Sequence, residues 1–145
     1  NQVTYREADK DFNRLNHFKV EEAGEKVAIL ALGDFYQRGE QLSAKIKAEL
    51  GFTPTLINPR FASGIDKELL ESLSERHQMV ITMEDGILSG GFGEKIASFY
   101  GSSDMKVKNY GLDKKFYDRY DPNELLKEVG MTPVQIIADI CNQIK

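Results

Sequence analysis

The apolar positions of this chain alternate between short continuous runs and helical stripes. Val27-Ala28-Ile29-Leu30-Ala31-Leu32 is unbroken by any polar residue. Strands covered on both faces carry such runs because neither face meets water, and they belong to parallel sheets sandwiched between helices. Met79 to Met83 predicts a second buried strand and Thr53 to Asn58 a shorter one. Met105 to Tyr110 alternates weakly and reads as an edge strand. His17 to Glu21 predicts a further short edge strand, followed by a turn at Gly24.

Between the strands the period changes. Leu42, Ile46 and Leu50 recur every four positions within Tyr36 to Leu50, one helical stripe that Gly51 ends. Gly33 closes the preceding strand and Asp34 is positioned to cap the helix. Asp66 opens a second helix with Leu69, Leu70 and Leu73 inward and His77 near its end. A third runs from about Phe92 to Tyr100 and stops at Gly101. Asp121-Pro122-Asn123-Glu124 and Thr132-Pro133-Val134-Gln135 each place a capping residue, a proline at the first helical position and a side chain able to reach back. They predict two closing helices separated at Gly130. In the last one Val134, Ile137, Ile140 and Cys141 share a face, which makes Cys141 a core residue.

Strand, helix, strand, helix, strand, helix, strand, helices is the order of a parallel sheet with right-handed crossovers. The expected fold is α/β, a three-layer αβα sandwich around a mostly parallel sheet of about five strands. Residues 1–16 are poor in apolar positions and read as a linker or arm from a preceding domain. Residues 17–145 form the domain.

Composition narrows the partners. The 145 residues are 41% hydrophobic and carry a net charge of −4, whereas nucleic acid or an anionic membrane calls for clustered Lys and Arg. No apolar run approaches the roughly 20 residues that span a bilayer. The amino-terminal stretch lacks a signal peptide's apolar segment. Its first residue is Asn, as expected of an excised fragment. The single cysteine forbids an internal disulfide and agrees with a reducing, cytoplasmic setting.

The candidate chemistry is sparse. Ser89-Gly90-Gly91-Phe92-Gly93-Glu94-Lys95 follows a strand and opens a helix, where backbone N–H groups suit an anion. Its spacing is neither the dinucleotide fingerprint nor a Walker A loop, so close backbone packing is the plainer reading, with a phosphate- or nucleotide-binding regulatory module as an alternative. Glu84 and Asp85 are adjacent in an extended segment and point opposite ways, so they suit one helix cap and one interdomain acceptor rather than a shared metal. His77 sits where a helix dipole favours its charged form, and His17 lies far from it. Lys106 to Arg119 mixes lysines and aromatics, a solvated face anchored in the core or a partner surface. Arg60, in Asn58-Pro59-Arg60-Phe61, lies just past a strand's carboxyl end, where open α/β sheets place their contacts. It suits a carboxylate, a phosphate or an interdomain tie.

Taken together, Val27 to Gly33, Leu56-Ile57-Asn58-Pro59-Arg60-Phe61, Ile65-Asp66, Thr82-Met83-Glu84-Asp85-Gly86 and Gly90-Gly91-Phe92-Gly93 resemble, in order and spacing, the C-terminal domain of the transketolase-like, thiamine-diphosphate-dependent enzymes. Within that group Glu84 to Gly101, Asn109-Tyr110-Gly111-Leu112 with Phe116, and the capped carboxyl-terminal helices look most like the 1-deoxy-D-xylulose-5-phosphate synthases. The likeness runs from about Phe18 to Ile144. Ser63-Gly64 departs from it, standing where relatives often carry Lys-Pro.

The resemblance implies a full-length homodimeric enzyme that condenses pyruvate with glyceraldehyde 3-phosphate, releases carbon dioxide and feeds isoprenoid and thiamine synthesis. Thiamine diphosphate and magnesium are held by preceding domains, so this chain alone is expected to bind neither and to be inactive. No catalytic, cofactor or metal residue is assigned here. Arg60, Glu84, Asp85, Gly90, Gly91 and Phe92 are expected to contact the preceding domains or the dimer partner, with Gly90, Gly91 and Gly93 allowing close approach of other backbone. Transketolase itself and the beta subunit of a 2-oxo acid dehydrogenase are the related alternatives.

Overall fold

A computed structural model describes residues 18–60, 65–85, 91–112 and 132–144. Five strands form one sheet: β1 (Lys19–Glu22), β2 (Lys26–Ala31), β3 (Thr55–Asn58), β4 (His77–Asp85) and β5 (Lys106–Leu112). Among the described residues four α-helices accompany them: α1 (Tyr36–Leu50), α2 (Lys67–Leu73), α3 (Phe92–Tyr100) and α4 (Pro133–Gln143). The strand order is β1-β3-β2-β4-β5. β3, β2, β4 and β5 run parallel, and β1 lies antiparallel on β3 at one edge.

The continuous apolar runs bury both faces. Val27, Ile29 and Ala31 of β2 with Met79, Ile81 and Met83 of β4 face α1 and α4, meeting Leu42, Ile46, Ile136, Ile137 and Ile140. Ala28, Leu30 and Val80 face the other way, against Leu70 and Leu73 of α2 and Phe92, Ile96 and Tyr100 of α3. The predicted three-layer sandwich is the observed one. Tyr100 donates its hydroxyl to the Leu70 carbonyl at 2.7 Å, joining α2 to α3. Tyr110 donates to Asp139 at 2.5 Å, joining β5 to α4, and burial and then that carboxylate push its hydroxyl pKa upward.

The helix boundaries follow local chemistry. Gly51 ends α1 at φ 80°. Asp66 caps α2 by accepting from Leu69 N–H at 3.1 Å. Thr132, Pro133 and Gln135 form the predicted capping box on α4. Asp34 differs from expectation. Gly33–Phe35 is a 3-10 turn, and α1 starts after Phe35 with no side-chain cap, so Asp34 sits inside the turn rather than at a cap position.

Cys141 is also corrected. It is exposed, and Val134 is 65% exposed. The buried face of α4 is Ile136, Ile137 and Ile140, with Ile144 packed beside them. Both stripes share Ile137 and Ile140. With α4 packed beside α1, Ile136 faces the core and Val134 and Cys141 turn outward. The helix predicted over Asp121 to Leu126, like His17, Ser63, Gly64 and Gly90, lies outside the described residues.

Candidate contact face at the carboxyl end of the sheet

β2 leads to β3 on one side, and the chain then crosses over to β4 on the other. The carboxyl ends of β2 and β4 are therefore the topological switch point, where open α/β sheets hold ligands. Here the chain's own turn folds over that point. Leu32 N–H donates to the Met83 carbonyl at 2.9 Å and Phe35 N–H to the Leu32 carbonyl at 3.1 Å. The Phe35 ring is buried in the core beneath α1 and α4.

The sequence candidates gather around this end. Arg60 lies two residues beyond β3, half-buried, with φ 65°. The Asn58 side-chain oxygen accepts its N–H at 3.0 Å and holds this left-handed turn. Glu84 and Asp85 are the last residues of β4. Gly91 precedes α3 at φ 85°, a conformation that a side chain would strain. Phe92 is fully buried, its ring 5.9 Å from that of Phe18 in an edge-on pair. Phe92 is thus a core residue of this domain rather than a surface contact.

Sequence reasoning missed Phe18 here. Phe18 leads into β1 at this end, since Lys19 pairs with Asn58 at the end of β3. Its N–H donates to the second carboxylate oxygen of Asp66 at 3.0 Å, a buried bond across 48 residues. Asp66 therefore caps α2 and pins the entering chain at once. The cap was visible as an Asp before a helical stripe, but no local signal marked Phe18 as its second donor.

Glu84 reaches the amino end of α3, accepting from Gly93 N–H at 2.6 Å while only 6% exposed. A Cβ at Gly93 would lie 2.6 Å from that same carboxylate oxygen and 2.8 Å from Asn109 Cγ. What Gly93 makes room for is thus the domain's own Glu84 and Asn109 side chains, not the backbone of another domain. Among the described residues, a Cβ at Gly91 would meet only Glu94 of its own helix, at 3.3 Å.

This arrangement weighs against the phosphate reading at the amino end of α3, since Glu84 already holds Gly93 N–H. The positive end of α3 is already satisfied by an internal carboxylate, so a second anion there would meet repulsion rather than a free N–H cluster. The same objection applies to a diphosphate. Among the described residues no group of three His, Cys, Asp or Glu is placed to hold a metal ion. Among the described residues at this end, Glu84 at the amino end of α3 and the lack of such a group do not suit thiamine diphosphate with magnesium. No helix of the described residues is long and apolar enough to cross a membrane.

His77 lies at the opposite, amino end, as the first residue of β4. Its Nδ1 is 2.9 Å from the Leu73 carbonyl and its Nε2 is 2.7 Å from Thr55 Oγ1. Burial lowers its pKa more than the Leu73 bond raises it, and Arg76 lowers it further against a smaller opposite effect of Glu25. The charged helix-end reading is corrected: half-burial outweighs the helix dipole. Lys106 and Lys108 are exposed on β5 while Tyr110 is buried, so this part of the lysine–aromatic stretch is a solvated face with a core anchor. Residues 113–119 lie outside the described residues.

Comparison with known proteins agrees with the architecture. The family described as "Transketolase, C-terminal domain" matches residues 16–136. A 1-deoxy-D-xylulose-5-phosphate synthase of Shouchella clausii is 33% identical over 140 residues, covering 94% of this chain and 22% of that protein. One from Clostridium perfringens is 38% identical over 115 residues, covering 78% of this chain and 18% of that protein. Among solved structures, a split-gene transketolase described as an inactive beta4 tetramer superimposes with a TM-score of 0.69 over 88% of this chain and 42% of its own, at 23% identity. That likeness shows the fold. The chain spans about a fifth of the length of the curated relatives it matches.

Proposed function

This chain belongs to the transketolase C-terminal domain family, and we propose that it is the non-catalytic C-terminal domain of a 1-deoxy-D-xylulose-5-phosphate synthase. The carrying observation is the alignment: proteins of that name match across 94% of this chain and only 22% of their own length. In this proposal the preceding domains of the polypeptide hold thiamine diphosphate and magnesium, and a homodimer condenses pyruvate with glyceraldehyde 3-phosphate in the cytoplasm. The chain itself binds no nucleic acid.

The domain's part is to present a rigid contact face. Arg60, Gly91 and the end of β4 at Glu84 and Asp85 lie at the carboxyl end of the sheet, where Phe18 brings in the chain. Glu84 acts from within by fixing α3, while Arg60 is the charged group best placed to tie to a neighbouring domain.

The test is activity of the intact polypeptide. Carbon dioxide release from pyruvate should require both thiamine diphosphate and glyceraldehyde 3-phosphate, while the 145-residue chain alone should show neither turnover nor cofactor binding by calorimetry. Saturable binding of thiamine diphosphate to this chain would refute the assignment. Decarboxylation indifferent to glyceraldehyde 3-phosphate would transfer it to another enzyme of the family.

A further inference from the structure

The amino end of the sheet holds a hydrogen-bonded chain that the contact face does not use. The Leu73 carbonyl can only accept, so His77 Nδ1 carries a proton and donates across 2.9 Å. In the neutral ring Nε2 is then an acceptor. The Thr55 hydroxyl donates to it at 2.7 Å and accepts from Gly24 N–H at 2.8 Å. One direction of donation runs through all three contacts, linking α2, β4, β3 and the turn from β1 to β2. The junction is tight: a Cβ at Gly24 would lie 2.1 Å from the Thr53 carbonyl. Thr55 is 3% exposed, so water offers its hydroxyl proton no ready alternative.

We propose that His77 is a proton-sensitive latch: neutral, it holds Thr55 and through it the Gly24 turn, and protonated, it releases that turn. A proton on Nε2 faces the Thr55 oxygen and displaces the hydroxyl proton from its acceptor. Both lone pairs of that oxygen then face donors, Gly24 N–H and His77 Nε2–H, and its own buried proton is left without the acceptor it had. The charges around the ring come from every neighbouring element. Arg76 precedes it on the turn after α2, Glu25 stands on the β1–β2 turn, and Lys26 faces it across the β2–β4 register. Asp104 and Lys106 line the same surface depression. Lys26 is drawn aside over the Phe52 ring, 5.2 Å from its centre. Burial makes the folded ring harder to protonate than an exposed one.

The sign follows. The closed state has the depressed pKa, so closure is fully favoured above the ordinary imidazole value of about 6.5 and is lost as pH falls from there toward the closed-state pKa. The backbone bonds from Glu25 N–H to the Thr53 carbonyl and from Lys26 N–H to the Arg76 carbonyl carry no such dependence, so opening is local to the turn.

Residue-resolved hydrogen exchange on the 145-residue chain tests this, with rates corrected for intrinsic exchange. Opening at Gly24 should rise as pH falls below about 6.5, approaching about tenfold per unit. In His77→Gln, which cannot titrate, that rise should vanish. Ring nitrogen shifts should show the Nδ1–H tautomer, and Thr55→Val should let His77 protonate at higher pH while Thr55→Ser does not. A Gly24 profile flat with pH, a rise that persists in His77→Gln, or an Nε2–H tautomer would each overturn the latch.

Discussion

Replacing Gly93 with alanine sets two effects of opposite sign against each other. Gly93 is the second residue of α3, and its φ lies outside the left-handed region. Backbone propensity alone therefore predicts that Gly93→Ala stabilises the helix, by about 1 kcal/mol. The added Cβ, however, would stand 2.6 Å from Glu84 Oε2, 2.8 Å from Asn109 Cγ and 2.9 Å from Asn109 Oδ1. Asn109 is exposed and can turn away, at the expense of the bond it accepts from the Thr82 hydroxyl at 2.6 Å. Glu84 is 6% exposed and held by the N–H of Gly93 itself. Its retreat forfeits a charge-assisted hydrogen bond at about 1.5–3 kcal/mol, and overpacking adds about 1–3 kcal/mol. The balance is a destabilisation of about 2–5 kcal/mol, a fall in Tm of about 6–15 °C for a chain of this size. Thermal unfolding followed by circular dichroism measures it. Adding Glu84→Ala should recover part of the loss, because the two changes share one clash and cannot add. A Gly93→Ala chain as stable as the wild type would refute this reasoning and return the glycine to a role in contacts between domains.

Asp66→Ala removes a helix cap and orphans the buried Phe18 N–H. Urea denaturation should show a loss of about 2–4 kcal/mol, with amide exchange at Phe18 accelerated more than in the α1–α4 core. Thr132→Ala breaks the capping box of α4 and should lower stability by about 1 kcal/mol, measured the same way. Cys141→Ser should change stability by less than about 0.5 kcal/mol, since the thiol is exposed; a larger loss would restore its place in the core.

Much of this fold was legible along the chain because its determinants are local. A strand buried on both faces must be apolar where it is covered, and residues 27–31 of β2 and 79–81 of β4 are. The stripe of α1 and its terminal Gly51 marked the helix from Tyr36 to Leu50, and Thr132-Pro133 announced the start of α4. The same local grammar placed Asp66 at a cap and Arg60 at a strand's carboxyl end. What depended on distance in sequence was decided only by the packed structure. Two overlapping stripes on α4 were equally periodic, and only the position of α4 beside α1 chose Ile136 over Cys141. A helix end argued for a charged His77, but β3 brought Thr55 over the ring and burial reversed the sign. Asp66 displayed its cap in sequence and concealed its bond to Phe18, because a carboxylate's second oxygen answers to whatever the fold brings near. Glycines are the clearest case: sequence shows that a side chain is missing, and only tertiary packing shows that the space beside Gly93 belongs to Glu84.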